Sequence, residues 1–135
     1  MANADVKAYL EASAAAKLLV EEAESVALAR WLDERTIGGD VIVSSLLLET
    51  ELRRLAIRAG IAQERVTDVL DRLDLVEPDP LTYRTAGLLE GRDLRSLDAL
   101  HVAACLRATC DVMISYDLRQ VAAAKAAGLH VVAPA

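Results

Sequence analysis

Phenylalanine is absent from this chain of 135 residues, and aromatic side chains of all kinds make up only 3% of it. A core must therefore be assembled from Leu, Val, Ile and Ala, and a hydrophobic fraction of 54% supplies enough of them to exclude a disordered chain. No apolar run reaches the ~18 residues of a membrane span, which excludes a transmembrane helix. The N-terminal Met1-Ala2-Asn3-Ala4-Asp5 has neither the basic nor the apolar segment of a signal peptide, so a cytoplasmic location is expected. Histidine and cysteine are scarce. His101, His130, Cys105 and Cys110 form no zinc pattern, and the two cysteines read as reduced structural thiols. No repeat, low-complexity tract or linker divides the chain, so one domain over residues 1–135 is expected. Positive charge is also in short supply: 15 Lys and Arg face 21 Asp and Glu, for a net charge of −6. That argues against general, charge-driven binding to nucleic acid. It leaves room for a nucleic-acid enzyme, because clustered acids loaded with metal become locally cationic.

What is present is an alternation of short apolar strands with amphipathic helices. Strands are expected near residues 6–10, 41–43, 75–76, 112–115 and 130–132. Helices are expected from Ser13 to about Val20, then over about 22–35, 45–59, 62–73, 80–90, 97–108 and 118–127. Ser44 or Ser45 is the expected cap of the third, and Ser96 of the helix at 97–108. Gly60, Gly91 and Gly128 stand where glycine ends helices. Strands separated by helices make an α/β domain with a mainly parallel sheet. Such sheets place their sites beyond the carboxyl ends of the strands.

Four acids stand where an acid serves packing badly and metal binding well: Glu11, Glu51, Asp98 and Asp117. Glu11 follows the first strand and has no obvious structural duty, since Glu is a poor helix cap. Glu51 interrupts the stripe Leu47, Leu48, Leu52 and Leu55, where a carboxylate is costly unless paired or metal-bound. Its bland alternative is a salt bridge, with Arg54 the nearest candidate. Glu49, by contrast, faces Arg53 as an ordinary surface pair. Asp98 lies in the first turn of its helix, where an acid favours the dipole. Asp117 follows a buried strand and suits an N-cap, a role compatible with ligation through its second oxygen. His101 reads as a packed or hydrogen-bonded helix residue, and Lys17 and Lys125 as solvated.

The stretches Tyr9-Leu10-Glu11-Ala12-Ser13-Ala14, Thr50-Glu51-Leu52-Arg53-Arg54, Leu94-Arg95-Ser96-Leu97-Asp98-Ala99-Leu100-His101 and Ser115-Tyr116-Asp117 together resemble PIN-domain proteins, and more narrowly the VapC toxins of type II toxin–antitoxin modules. The resemblance covers nearly the whole chain and keeps the order and rough spacing of the motifs. It implies an α/β/α sandwich on a five-stranded parallel sheet. It implies a Mg²⁺- or Mn²⁺-dependent endoribonuclease acting on tRNA or ribosomal RNA, a homodimer, and a VapB antitoxin that covers the active site. Glu51, Asp98 and Asp117 match three acid positions of the family. Ser13 and Ser115 match its small hydroxyls, and Arg53, Arg54 or Arg119 are the candidates for holding phosphates. Glu11 takes the first acid position, where the family has Asp.

That departure sets a second expectation beside the first, a PIN scaffold that binds antitoxin or RNA without efficient cleavage. A phosphoacceptor receiver domain needs paired acids after its first strand and a lysine after its last core strand, and neither is clearly placed. Nucleotide binding of the Rossmann kind needs a glycine-rich loop after a strand, and none follows one.

Overall fold

A computed structural model describes residues 6–135, so the expectation about Met1–Asp5 lies outside the described residues. Among the described residues the order is β1 (Lys7–Leu10), α1 (Ala12–Ala16), α2 (Ser25–Ile37), β2 (Val41–Ser45), α3 (Leu47–Ala59), α4 (Gln63–Leu70), β3 (Asp74–Val76), α5 (Pro80–Leu88), α6 (Ser96–Arg107), β4 (Val112–Ile114), α7 (Leu118–Ala126) and β5 (Val131–Val132). The five strands form one sheet in the order β3-β2-β1-β4-β5, and every neighbouring pair is parallel. None of the helices is long and apolar enough to cross a membrane.

Strand alternation splits the core into two halves. Ala8, Leu10, Ile42, Val112 and Ile114 face one way and pack with Ala14, Leu28, Leu32, Leu48, Leu52, Val66 and Leu70, which belong to α1 through α4. Tyr9, Val43 and Met113 face the other way and meet Val102 and Cys105 of α6 and Ala124 of α7. The result is the expected three-layer α/β/α sandwich, with aliphatic cores on both faces of a short sheet. Cys105 and Cys110 are free and buried.

The chain winds outward from β1 to β2 to β3, then crosses to the other side of β1 to lay down β4 and β5. The order therefore reverses between β1 and β4, and a crevice opens beyond their carboxyl ends, as it does in other open α/β sheets. Leu10 pairs with Ile114 at that edge, and the Glu11 N–H continues the ladder to the Ile114 carbonyl at 3.3 Å. The residues that follow β1 and β4 are thus forced together by register.

The helix starts differ from expectation. Ser44 and Ser45 belong to β2. Ser44 Oγ donates to the Leu10 carbonyl at 2.6 Å, and Ser45 Oγ accepts the Leu47 N–H at 3.2 Å, while the cap position of α3 is Leu46 with no side-chain bond. Ser96 is the first helical residue of α6 rather than its cap. Helix α2 begins at Ser25, because Ser25 Oγ takes the Glu22 N–H at 2.9 Å and holds a turn there. Lys17 is not solvated. It is 9% exposed, bonds Glu22 and Glu24 at 3.0 Å each, and lies over the Tyr116 ring.

Candidate active site

Glu11 has a structural duty that its residue type does not advertise. Extended backbone at Glu11 lets its Oε1 reach the Ala14 N–H at 2.9 Å, so it is the N-cap of α1. Ser13 Oγ donates to the same oxygen and accepts the Tyr116 N–H at 2.9 Å. The side chain is 1% exposed. Burial raises its carboxyl above the ordinary glutamate range, against the lowering effects of Ser13, Ala14 and, more weakly, His101. No described residue bonds its Oε2.

Asp117 caps α7 as expected. Its Oδ1 accepts the N–H groups of Arg119 at 3.0 Å and Gln120 at 3.2 Å, and Oδ2 carries no bond from a described residue. Ser115 prepares this turn. Its Oγ donates to Gln120 Oε1 at 2.7 Å and accepts the Asp117 N–H at 3.2 Å. Gln120 is fully buried and donates onward to the Asp98 carbonyl at 3.2 Å, which joins the end of β4 to the first turn of α6. Asp98 lies in that turn, where an acid favours the helix dipole. Partial burial is the largest cause raising its carboxyl. Asp117 and Glu51 add to the rise, while His101 and Arg95 oppose it. The three acids thus share one field.

Glu51 reaches across from α3. Its Oε1 lies 2.5 Å from His101 Nε2, not beside Arg54, which corrects the salt bridge considered from sequence. Glu51, Asp98 and Asp117 line a single open cleft of about 720 Å³ together with Arg95, Ser96, Leu97, Leu118 and Arg119. Glu11 is not on its wall; Ala12 and Ser13 border a neighbouring hollow with Glu51, Arg54 and Arg58.

The arginines separate by position. Arg53 is committed elsewhere: it bonds Glu49 at 3.1 Å, Gln63 at 3.1 Å and Thr67 at 3.2 Å, so it clamps α3 to α4 rather than serving the cleft. Arg54 and Arg119 do border the two hollows. Arg95 was not singled out from sequence as a site residue, although its place three residues before Asp98 was the available signal. The pairing of Glu51 with His101 was missed, and it has no local signature.

Among the described residues no three His, Cys, Asp or Glu side chains stand as a ready metal cage. The donor chemistry nevertheless fits a hard cation. Glu51 and Asp117 each have a carboxylate oxygen without a bond from a described residue, Asp98 has two, and both nitrogens of His101 are engaged. Oxygen donors without free nitrogen or sulfur suit a hard divalent cation rather than a softer one.

Comparison with known proteins identifies the family and the fold. The family described as PIN domain matches residues 8–126. Ribonuclease VapC35 of Mycobacterium tuberculosis H37Rv is 44% identical over 132 residues, covering 93% of this chain and 96% of that protein. Ribonuclease VapC46 of the same strain is 39% identical over 129 residues, with the same shares covered. Two crystal structures share the fold. That of VapBC2 from Rickettsia felis bound to a promoter DNA fragment matches with a TM-score of 0.74 at 11% identity, covering 96% of this chain and 100% of that one. That of Mycobacterium tuberculosis VapC20, a sarcin-ricin loop cleaving toxin, matches with 0.70 at 16% identity, covering 94% and 99%. The chain belongs to the PIN-domain family, among its VapC ribonucleases.

Proposed function

We propose that this chain is a cytoplasmic endoribonuclease toxin of a VapBC pair, carried on a single PIN domain, that hydrolyses tRNA or ribosomal RNA with Mg²⁺ or Mn²⁺. Divalent-metal dependence is general to PIN-domain ribonucleases; the naming of these two ions rests on the oxygen donors alone. The observation that carries the reading is the meeting of Glu51, Asp98 and Asp117 on one cleft beyond the β1–β4 reversal, in a chain 44% identical to a ribonuclease.

Asp98 and the unbonded Oδ2 of Asp117 would hold the ion, with Oε2 of Glu51 and of Glu11 completing the set. A bound divalent ion supplies a polarised phosphate and an acidified water. The chain's own contribution is position. Asp117 is held by the helix start it caps, and Asp98 by Gln120 through its carbonyl. If one of these four stays off the ion, it would take the proton of the attacking water. Arg119, Arg95 and Arg54 border the acids and would take the flanking phosphates, offsetting a chain that is net acidic. Exposed Leu97 and Leu118 at the cleft rim would offer apolar surface to a VapB-type antitoxin, and a second copy of the chain would complete a homodimer.

A second reading has its own support. Glu11 is buried and occupied as a cap, so a PIN scaffold that binds antitoxin or RNA with little cleavage is the alternative. Incubation of total RNA with the wild type and Glu11→Asp, with and without Mn²⁺, separates them. Metal-dependent cleavage by the wild type supports the nuclease. Cleavage only by Glu11→Asp supports the scaffold.

A further inference from the structure

The two helical layers are tied together at the carboxyl edge of the sheet by one buried polar chain. It runs from Tyr9 on β1 through His101 on α6 to Glu51 on α3. His101 is 0% exposed, its Nδ1 lies 2.8 Å from the Tyr9 hydroxyl, and its ring meets the Tyr9 ring edge-on at 5.8 Å. Its Nε2 lies 2.5 Å from Oε1 of Glu51, whose side chain is 20% exposed and reaches the cleft.

We propose that His101, oriented by Tyr9, is the positioning residue for Glu51: its Nε2–H anchors Oε1 and leaves Oε2 facing the cleft. The proposal rests on Glu51 being an acid of the nuclease site. An ionised carboxylate only accepts, so Nε2 must carry the proton. The Tyr9 hydroxyl, 2.8 Å from Nδ1, holds the ring from its other side. The buried polar atoms of Tyr9 and His101 are satisfied in this arrangement, in keeping with the absence of orphaned buried side-chain atoms among the described residues.

Two features make this more than core packing. First, Glu51 has no other bond from the described residues, so His101 is its one polar anchor among them. Arg54 borders the same hollow without bonding it. Second, Asp98 and Asp117 share the cleft and repel Glu51, which would swing outward without an anchor. His101 also lies three residues after Asp98, so one face of α6 presents one acid and the anchor of another.

The test measures Mn²⁺ affinity by calorimetry on folded protein, with the metal alone and no RNA. The variants are His101→Leu, His101→Gln, Tyr9→Phe and, as control, Asp98→Asn. Gln offers an amide N–H close to where Nε2 lies, and Leu fills the space without a donor. The expected result is about tenfold or more weaker binding for His101→Leu, the scale of a lost outer partner of a metal ligand. His101→Gln should stay within about threefold of wild type by the same reasoning. If His101→Leu fails to fold, Tyr9→Phe replaces it, because it removes only the hydroxyl, and weaker binding is again expected. Wild-type affinity in His101→Leu, or in its stand-in, overturns the inference while an affected Asp98→Asn leaves the nuclease site standing. Equal loss in His101→Gln and His101→Leu assigns the effect to packing and also overturns it. Unchanged affinity in Asp98→Asn removes the acid site itself, and the inference with it.

Discussion

Ser13 joins the two strand ends that carry the first and last acids: its Oγ accepts the Tyr116 N–H at 2.9 Å and donates to Glu11 Oε1. One hydroxyl thus sets both the cap of α1 and the turn that leads into Asp117. Ser13→Ala removes an acceptor from a backbone N–H and a donor from a buried carboxylate. The expected stability loss is about 1 kcal/mol by urea unfolding. Mn²⁺-dependent cleavage should fall about tenfold or more, because both acid-bearing loops shift by more than the roughly 0.5 Å that productive geometry tolerates. Cleavage unchanged in the face of lower stability would reduce Ser13 to a structural residue.

Glu11 gives a pH prediction with a definite sign. Burial raises its folded pKa above the ordinary 4.5. The native state therefore binds this proton more tightly than the unfolded chain. Its contribution to stability is fully present below pH 4.5 and is lost as pH rises through the raised value. Glu11→Gln keeps an oxygen for the Ala14 N–H but has no charge to bury. The metal-free variant should melt above the wild type at neutral pH, with the gap closing in acid. It should also lose part of the rise in melting temperature that Mn²⁺ gives the wild type. Melting curves from pH 4 to 8, with and without Mn²⁺, check both.

Asp79 behaves in the opposite sense and far from the cleft. It caps α5 and pairs with Arg107 at 2.7 Å, and that bond above all, with help from Thr82, depresses its carboxyl from 3.8 to about 2. Its contribution is present above pH 3.8 and is lost as pH falls through about 2. Asp79→Asn retains a capping oxygen and removes the charge. The melting difference from wild type should be small at neutral pH, since the pair is exposed. It should disappear in strong acid, with cleavage unaffected throughout.

The arginines should separate by assay. Arg119 lines the acid cleft, whereas Arg53 is held by Glu49, Gln63 and Thr67. Arg119→Ala should raise the KM for RNA and reduce the salt slope of binding by about 1. Arg53→Ala should lower the melting temperature and leave KM and the salt slope as they were. The reverse pattern would move the phosphate track to the α3–α4 face.

The sheet was legible because short aliphatic strands, glycine stops and regular helix spacing all report local preference. The nearness of the chain segments after β1 and β4 was also legible, since the parallel pairing of Leu10 with Ile114 fixes where both strands end. Glu51 was legible as an acid within an apolar stripe. Its partner was not, because Tyr9, Glu51 and His101 lie on three elements whose packing no local pattern encodes. The cap formed by Glu11 was hidden for a related reason. Its longer side chain reaches the Ala14 N–H only with the backbone extended, and Ser13 shares the oxygen. Arg53 shows the same limit: the bond to Glu49 follows helical spacing, but those to Gln63 and Thr67 depend on the packing of α4 against α3.

The central claim is that Glu51, Asp98 and Asp117 direct divalent-metal hydrolysis of RNA. Single-turnover cleavage of a purified tRNA or rRNA fragment tests it most directly, with wild type, wild type plus chelator, and Asp98→Asn prepared in parallel. The account predicts cleavage by the wild type with Mn²⁺ or Mg²⁺ and none with chelator. It predicts a fall of about a hundredfold or more in Asp98→Asn, the rate equivalent of several kcal/mol of metal-borne stabilisation. Cleavage that persists in chelator, or that is equal in Asp98→Asn, would contradict it.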